Sequence, residues 1–198
     1  MLEKQPSRSE QMLLFARNFV KHPKMLGSFI PSSNFLINKI LEPVDWARMR
    51  VMVEYGPGVG NISAEILRRM HPDAQLIVIE TNPDFVQYLK TAFPDPRLKV
   101  VHGSAADTRE ILARFGHRQA NYVISGIPFS TMPRALRENI VYTTHSVLAP
   151  GGSFLVYQFS PKVLQDLERT FACVQRSFEP FNIPPAHLFF CEPKTLSA

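Results

Sequence analysis

Short apolar runs and stretches of helical spacing take turns along most of this chain. Val51–Tyr55, Gln75–Glu80, Leu98–His102, Asn121–Ser125 and Ser153–Phe159 have the length and branched, apolar make-up of strands buried on both faces. Amphipathic stretches fall between them, over about Asn61–Met70, Pro83–Phe93, a segment ending at Phe115, and Pro133–Val147. Pro83 suits the first turn of its helix and Asp84 the positive end of the dipole, while Asp107 and Glu110 have the spacing of a variant capping box. A helix near Lys162–Phe171 follows the fifth strand. Two β-rich pieces, Cys173–Phe178 and Leu188–Cys191, come last, joined by E-P-F-N-I-P-P-A without helical spacing. They read as an antiparallel hairpin closing one sheet edge. The alternation predicts a single α/β domain with a parallel sheet covered on both faces.

Ahead of this core (43–198), residues 1–42 form an extension. In Ser7–His22, Met12, Phe15, Ala16 and Phe19 make one helical face, and Arg17, Asn18 and Lys21 lie opposite, interrupted by Leu14. Between Met1 and Lys24 the five cations Lys4, Arg8, Arg17, Lys21 and Lys24 exceed the two acids Glu3 and Glu10 by three. Such a helix either packs on the domain or lies in a membrane surface, with Phe15 and Phe19 inserted and Arg17, Lys21 and Lys24 at anionic headgroups. Gly27 and Pro31 then bracket an extended piece, and Ser32 or Ser33 can cap a helix over Asn34–Leu41. This piece can also fold over a ligand as a lid.

Candidate chemistry gathers at the end of the first strand. In V-M-V-E-Y-G-P-G-V-G-N, Glu54 precedes Gly56, Gly58 and Gly60, which open a helix and allow a ligand to approach bare backbone. The dinucleotide fingerprint G-x-G-x-x-G fails, because the sixth position from Gly56 is Asn61. The spacing E-x-G-x-G-x-G resembles motif I of class I S-adenosylmethionine-dependent methyltransferases. The second strand ends in Glu80, whose two oxygens can hold both hydroxyls of a ribose, and Thr81 and Asn82 continue that tip. The resemblance implies S-adenosylmethionine as cofactor, S-adenosylhomocysteine as product, and a Rossmann-like sheet of order 3-2-1-4-5-7-6. The ligand then sits where strand order reverses, between strands 1 and 4, with Glu54–Gly60 facing Ser125–Phe129.

The second loop, S-G-I-P-F, corresponds to N-P-P-Y or N-L-P-F of amino-methylating enzymes, with Ser125 expected in the asparagine's place. Together G-S-F-I-P-S-S (Gly27 to Ser33), E-Y-G-P-G-V-G-N-I-S (Glu54 to Ser63), S-G-I-P-F and N-I-P-P-A (Asn182 to Ala186) resemble the bacterial phospholipid N-methyltransferases of the Rhodobacter type, over nearly the whole chain. Those enzymes are relatives of the ribosomal RNA adenine dimethyltransferases. The resemblance implies methylation of phosphatidylethanolamine, through mono- and dimethyl forms, towards phosphatidylcholine, with the N-terminal helix on the bilayer. It further implies that Glu54, Gly56, Gly58 and Gly60 line the methionine end of the cofactor, that Glu80 takes the ribose, that Ser104 and Ala105 meet the adenine, and that Thr81, Asn82 and Ser125 also contact the cofactor. Many relatives carry aspartate where Ser104 stands. Phe29, Pro31 and Ser32 would close over the cofactor, and Ser125, Ile127, Phe129 and Tyr157 would face the acceptor.

Transfer to a neutral amine is mostly positioning plus loss of a proton. Tyr55, His102, His145 and Tyr157 are candidates to accept or relay it. Phe29, Phe129 and Tyr157 offer faces to a methylated cation, and Lys24, Arg134 and Arg137 to a substrate phosphate.

With 198 residues the chain has length for one well-packed domain. No run reaches the about 18 apolar residues of a membrane span, and the polar start is not a signal peptide, so a cytoplasmic protein, peripheral at the inner membrane face, is expected. Lys and Arg exceed Asp and Glu by 22 to 17, a net charge of +5 that favours an anionic bilayer surface or nucleic acid without choosing between them. Cys173 and Cys191 lack metal-like spacing and read as buried, reduced thiols; no metal is expected. Three rivals stand beside the phospholipid reading. An RNA adenine dimethyltransferase shares the fold and charge, but the chain lacks the helical domain those enzymes add after the hairpin, and Ser125 lacks the amide that reads a flipped adenine, so no nucleic-acid partner is expected. An ornithine-lipid N-methyltransferase is not separable at this level, and a silent cofactor-binding adaptor has to explain an intact glycine and carboxylate set. Oligomeric state and the number of methyl groups added are open.

Overall fold

A computed structural model describes residues 32–193. Strands β1 (Val51–Tyr55), β2 (Gln75–Glu80), β3 (Leu98–His102), β4 (Ala120–Ser125), β5 (Leu148–Gln158), β6 (Cys173–Glu179) and β7 (Ala186–Glu192) form one seven-stranded sheet, ordered β3-β2-β1-β4-β5-β7-β6. The first five pair in parallel, and β7 runs antiparallel to both β5 and β6. The helices are α1 (Asn34–Leu41), α2 (Asn61–Arg69), α3 (Pro83–Ala92), α4 (Thr108–Arg114), α5 (Arg134–Val147) and α6 (Leu164–Thr170). This is the class I methyltransferase order that the sequence predicts. The amphipathic stretch Ser7–His22, with Phe15, Arg17, Phe19 and Lys21, and also Lys24, Phe29 and Pro31, lie outside the described residues.

Alternate residues of each strand feed two cores. Val53, Tyr55, Val123, Phe154 and Val156 pack on one face with Ile111 of α4, Ile140 of α5 and Leu167 of α6. Met52, Ile124, Leu155 and Leu188 pack on the other with Leu36 of α1, Ile66 of α2 and Leu89 of α3. Glu54, between Val53 and Tyr55, therefore belongs to the α1–α2 face. Both faces of the central strands are buried, which is why these runs are apolar without alternation.

Local chemistry sets the ends of the elements. Ser33 caps α1, its hydroxyl accepting from the Leu36 amide at 3.2 Å, and Asn82 caps α3 by accepting from the Asp84 amide at 2.9 Å. The predicted Asp107 capping box does not form. Instead Ser104 accepts from the Ala106 amide at 3.1 Å and starts a 3-10 turn, Ala105–Asp107, that leads into α4. β5 begins at Leu148 rather than Ser153, with a register shift where Ala120 pairs with Leu148 and Tyr122 with Ser153. A Cβ at Gly152 would meet the Asn121 carbonyl at 2.6 Å, so the chain crosses the irregularity on a bare backbone. Of the two free thiols, Cys191 is buried and Cys173 is exposed on edge strand β6, which corrects the expectation that both are buried.

Candidate active site

The carboxyl ends of β1, β2, β4 and β5 converge at one edge of the sheet. After Tyr55 the chain turns into α2 through Gly56, Gly58 and Gly60, at φ 65, 57 and 79°, left-handed angles that a side chain would strain. The turn is fixed by the Gly56 amide donating to the Ile79 carbonyl and the Gly60 amide to the Pro57 carbonyl, both at 2.9 Å. A Cβ on Gly56 would stand 2.7 Å from Cγ2 of Ile127, and one on Gly60 2.7 Å from the Phe93 ring. The glycines thus let the turn press against the loop after β4 on one side and against the end of α3 on the other. No side chain caps α2, so its first backbone N–H groups face the edge.

Two buried carboxyl groups stand over this turn. Glu80 Oε2 accepts from the Gly58 amide at 3.3 Å and Oε1 from the Asn82 amide at 2.8 Å, which ties the tip of β2 to the glycine turn. Burial raises its pKa against the pull of these hydrogen bonds. Glu54 accepts from Ser63 Oγ at 2.5 Å and is pushed up to about 7, mainly by burial and partly by the neighbouring Glu80 charge, while the Ser63 bond acts the other way. A carboxyl so placed ionises readily once a cation is bound beside it.

The acceptor side is built from the loop after β4. The Gly126 amide donates to the Tyr55 carbonyl at 3.2 Å, and Gln158 Nε2 donates to the carbonyls of Ile127 and Tyr157, each at 2.7 Å. The Tyr157 phenol lies so close to Gly126 that a Cβ there would overlap its hydroxyl, and ring carbon Cζ would stand 2.5 Å from that Cβ. Tyr157 shares a side-chain hydrogen bond with Ser32, and burial, opposed by that bond and aided by Glu54, pushes its pKa up to about 12.

This geometry corrects the place given to Ser125. Matching Pro-Phe of N-L-P-F to Pro128-Phe129 puts the asparagine at Gly126, where no side chain fits beside Tyr157. Ser125 continues the alternation of Val123, so its side chain points into the α4–α5 core; it is fully buried and its Oγ has no hydrogen-bond partner.

Other predicted residues divide in the same way. Tyr55 is removed from proton transfer, because its hydroxyl is buried between Thr108, at 2.8 Å, and Thr144, at 3.0 Å, and its pKa is pushed up to about 12. His145 lies in the last turn of α5, which runs antiparallel to the strands and so ends at the opposite edge, where its ring packs on Phe171. His102 is exposed at the tip of β3, bonded to the Thr81 carbonyl at 3.1 Å. Phe129 is wholly buried in the α5-side core and has no free face for a cation. Arg137 is ion-paired with buried Asp166, linking α5 to α6, while Arg134 is exposed and paired with Glu138 at 2.7 Å. Thr81 is exposed beside Glu80, Ala105 is buried, and the Ser104 hydroxyl serves the turn into α4. Sequence reasoning missed Ser63 and Gln158 as supports. The signal for Gln158 was a polar residue at the end of an apolar strand; Ser63, among the mixed residues N-I-S-A-E that open α2, gave none.

The residues fit S-adenosylmethionine. Each Glu80 oxygen has capacity for a further donor such as a ribose hydroxyl, the uncapped first turn of α2 offers backbone N–H groups, and Glu54 is an ionisable group for a cationic ligand.

Known proteins resemble this chain in sequence and in fold. The pattern of the ribosomal RNA adenine dimethylase family matches residues 19–133. An ornithine lipid N-methyltransferase of Singulisphaera acidiphila is 37% identical over 184 residues, 92% of this chain and 96% of that protein. A ribosomal RNA small subunit methyltransferase A of Mycoplasma capricolum is 28% identical over 112 residues, 56% of this chain but 41% of that protein. Among solved structures, a TehB-like S-adenosylmethionine-dependent methyltransferase from Corynebacterium glutamicum superposes with a TM-score of 0.61 at 11% identity, over 95% of this chain and 100% of that one. An O-methyltransferase family protein from Burkholderia thailandensis gives 0.63 at 12% identity, over 94% of this chain and 71% of that one. At such identities the two structures speak for the fold alone.

Proposed function

The chain belongs to the ribosomal RNA adenine dimethylase family of S-adenosylmethionine-dependent methyltransferases, and from that premise we propose that it methylates the amine of a membrane aminolipid rather than a ribosomal adenine. Ornithine lipid is the first acceptor to test, because the relative of that name aligns over 96% of its own length. Phosphatidylethanolamine, implied by the sequence motifs, is the second. The reaction takes place at the inner face of the cytoplasmic membrane.

The observation that carries this reading is the contact of Tyr157 with Gly126. A planar nucleobase needs an amide at the position where this chain has no side chain. The phenol that fills the space leaves a hydroxyl suited to a single aliphatic amine. S-adenosylmethionine, when bound, supplies an electrophilic methyl on a sulfonium and leaves as S-adenosylhomocysteine. Tyr157, pushed up to about 12, stays a neutral phenol and orients the neutral amine by accepting a hydrogen bond from one of its N–H groups; the positive charge of the sulfonium passes to the methylated amine, which then releases its proton to water. Gln158 holds the loop and Tyr157 in register through its two carbonyl contacts.

The test is to incubate the full chain with methyl-labelled S-adenosylmethionine and vesicles containing either ornithine lipid or phosphatidylethanolamine, then to weigh the lipid products. Label in one lipid names the acceptor, and the mass gives the number of methyl groups. No label in either lipid, with cofactor binding confirmed by calorimetry, overturns the reading.

A further inference from the structure

Three of the large apolar side chains exposed among the described residues lie at one place: Phe35 at 62% exposure, Phe181 at 70% and Ile183 at 78%. Phe181 and Ile183 lie in the turn between β6 and β7, and Phe35 opens α1, its ring 5.5 Å from that of Phe181. β6 is antiparallel to β7, which is antiparallel to β5, so β6 points the same way as the parallel strands. The turn that follows β6 is therefore at the carboxyl edge, beside the candidate active site.

The patch is physically continuous with that site. Asn182, buried in the turn, accepts from the Ser33 amide at 2.9 Å and donates to the Pro184 carbonyl at 2.8 Å, which locks the turn onto the start of α1. The adjoining Ser32 bonds Tyr157. The charge near the patch suits an anionic surface. Lys162 is exposed just after β5 at the same edge, whereas the charge of Lys39, which donates to the Phe178 carbonyl, is offset by Glu179 at 3.6 Å. Rings and a branched aliphatic raised on a rigid turn, with the exposed Lys162 at the same edge, match the layered chemistry of a bilayer interface.

We propose that the β6–β7 turn, with Phe35, inserts into the bilayer interface and brings the mouth of the acceptor pocket to headgroup depth. This rests on the aminolipid reading, and it assigns membrane contact to a surface separate from Ser7–His22.

The test uses the full chain and vesicles of phosphatidylglycerol and phosphatidylcholine, free of both proposed acceptors, with bromine on the acyl chains. Trp46 is the natural tryptophan and lies ahead of β1 at the opposite edge, so it serves as an internal reference. Phe181→Trp adds a fluorophore at the turn. Brominated vesicles should quench the added emission by at least about half, and leave the emission of the natural chain within about a tenth of its value. A second variant, Phe181→Ser with Ile183→Ser, should bind vesicles at least about tenfold more weakly with cofactor affinity unchanged. Absence of quenching, or full vesicle binding by the double serine variant, overturns the proposal. So does a natural-chain dimer that the double serine variant splits into monomers, since the patch then belongs to a second copy. Because these vesicles contain no acceptor, quenching without any later methyl transfer to lipid contradicts the aminolipid reading alone.

Discussion

The cofactor half of the carboxyl edge, at the tips of β1 and β2, is held by its own neighbourhood, whereas the acceptor half, at the tips of β4, β5 and β6, is held by distant segments. In the first, Glu80 bonds the amides of Gly58 and Asn82, and Glu54 bonds Ser63 one turn into the following helix. In the second, Gly126 receives the ring of Tyr157, Ile127 is pinned by Gln158, and Asn182 reaches back to Ser33. The first plan makes a binding site that a short motif specifies. The second makes a pocket whose shape depends on which residues β5 and the β6–β7 turn bring to it, so a family can keep the cofactor and change the acceptor.

The strongest way to break this contrast is to put the amide back. Gly126→Asn should lower methyl transfer to lipid by at least about a hundredfold, since its Cβ overlaps the Tyr157 hydroxyl, while cofactor affinity stays within about threefold. Adding Tyr157→Ala should restore folding stability to the Gly126→Asn chain, measured by thermal unfolding, without restoring transfer to lipid. A loss of cofactor binding in Gly126→Asn would show that the two halves are not separable.

Glu80→Ala attacks the other half. It should weaken S-adenosylmethionine binding by about a hundredfold in calorimetry, the cost of charge-assisted hydrogen bonds at the ribose, with the circular dichroism of the sheet retained. Unchanged affinity would contradict the ribose role.

The pH dependence of Glu54 sharpens the comparison further. Its folded pKa is raised from 4.5 to about 7, so the folded chain holds this proton more tightly than the unfolded chain. Its contribution to stability is therefore full below the ordinary carboxyl range and lost as pH rises through about 7, by on the order of 3 kcal/mol. Cofactor binding has the opposite sign, because a cationic ligand favours the ionised group. Affinity should fall by up to about tenfold for each pH unit below 7. Glu54→Gln should flatten both profiles, followed by thermal unfolding and calorimetry between pH 5 and 8.

Ser125→Ala gives the smallest effect. The hydroxyl is buried and unpartnered in the core, so its removal should leave activity unchanged and stabilise the chain by about 1 kcal/mol in chemical denaturation. A drop in transfer to lipid would return Ser125 to the acceptor site.

The same division explains what could be read before the structure. The glycine turn and the strand-tip carboxylates are local, and Val51–Tyr55, Gln75–Glu80 and Leu98–His102 occur where their apolar runs predict them. Sheet order and the terminal hairpin follow from the alternation and from the family resemblance. The acceptor residues depend on tertiary contacts instead. Nothing near Ser125 in the chain reveals that it faces the core, or that Tyr157 stands over Gly126, until β4 and β5 are aligned. Tyr55 looked available because Thr108 and Thr144, which enclose its hydroxyl, lie far along the chain on α4 and α5. His145 was misplaced because its helix carries it to the other edge of the sheet.

The most direct test of the central claim is a competition in one vessel. The full chain receives labelled S-adenosylmethionine, ornithine-lipid vesicles and unmodified ribosomal RNA at matched acceptor concentrations, and initial rates of label into each are measured. The Tyr157–Gly126 pocket predicts label in the lipid at a rate at least about a hundredfold above that in RNA. Label mainly in RNA would contradict it, and would mean that an adenine can enter beside Gly126 with Tyr157 in place.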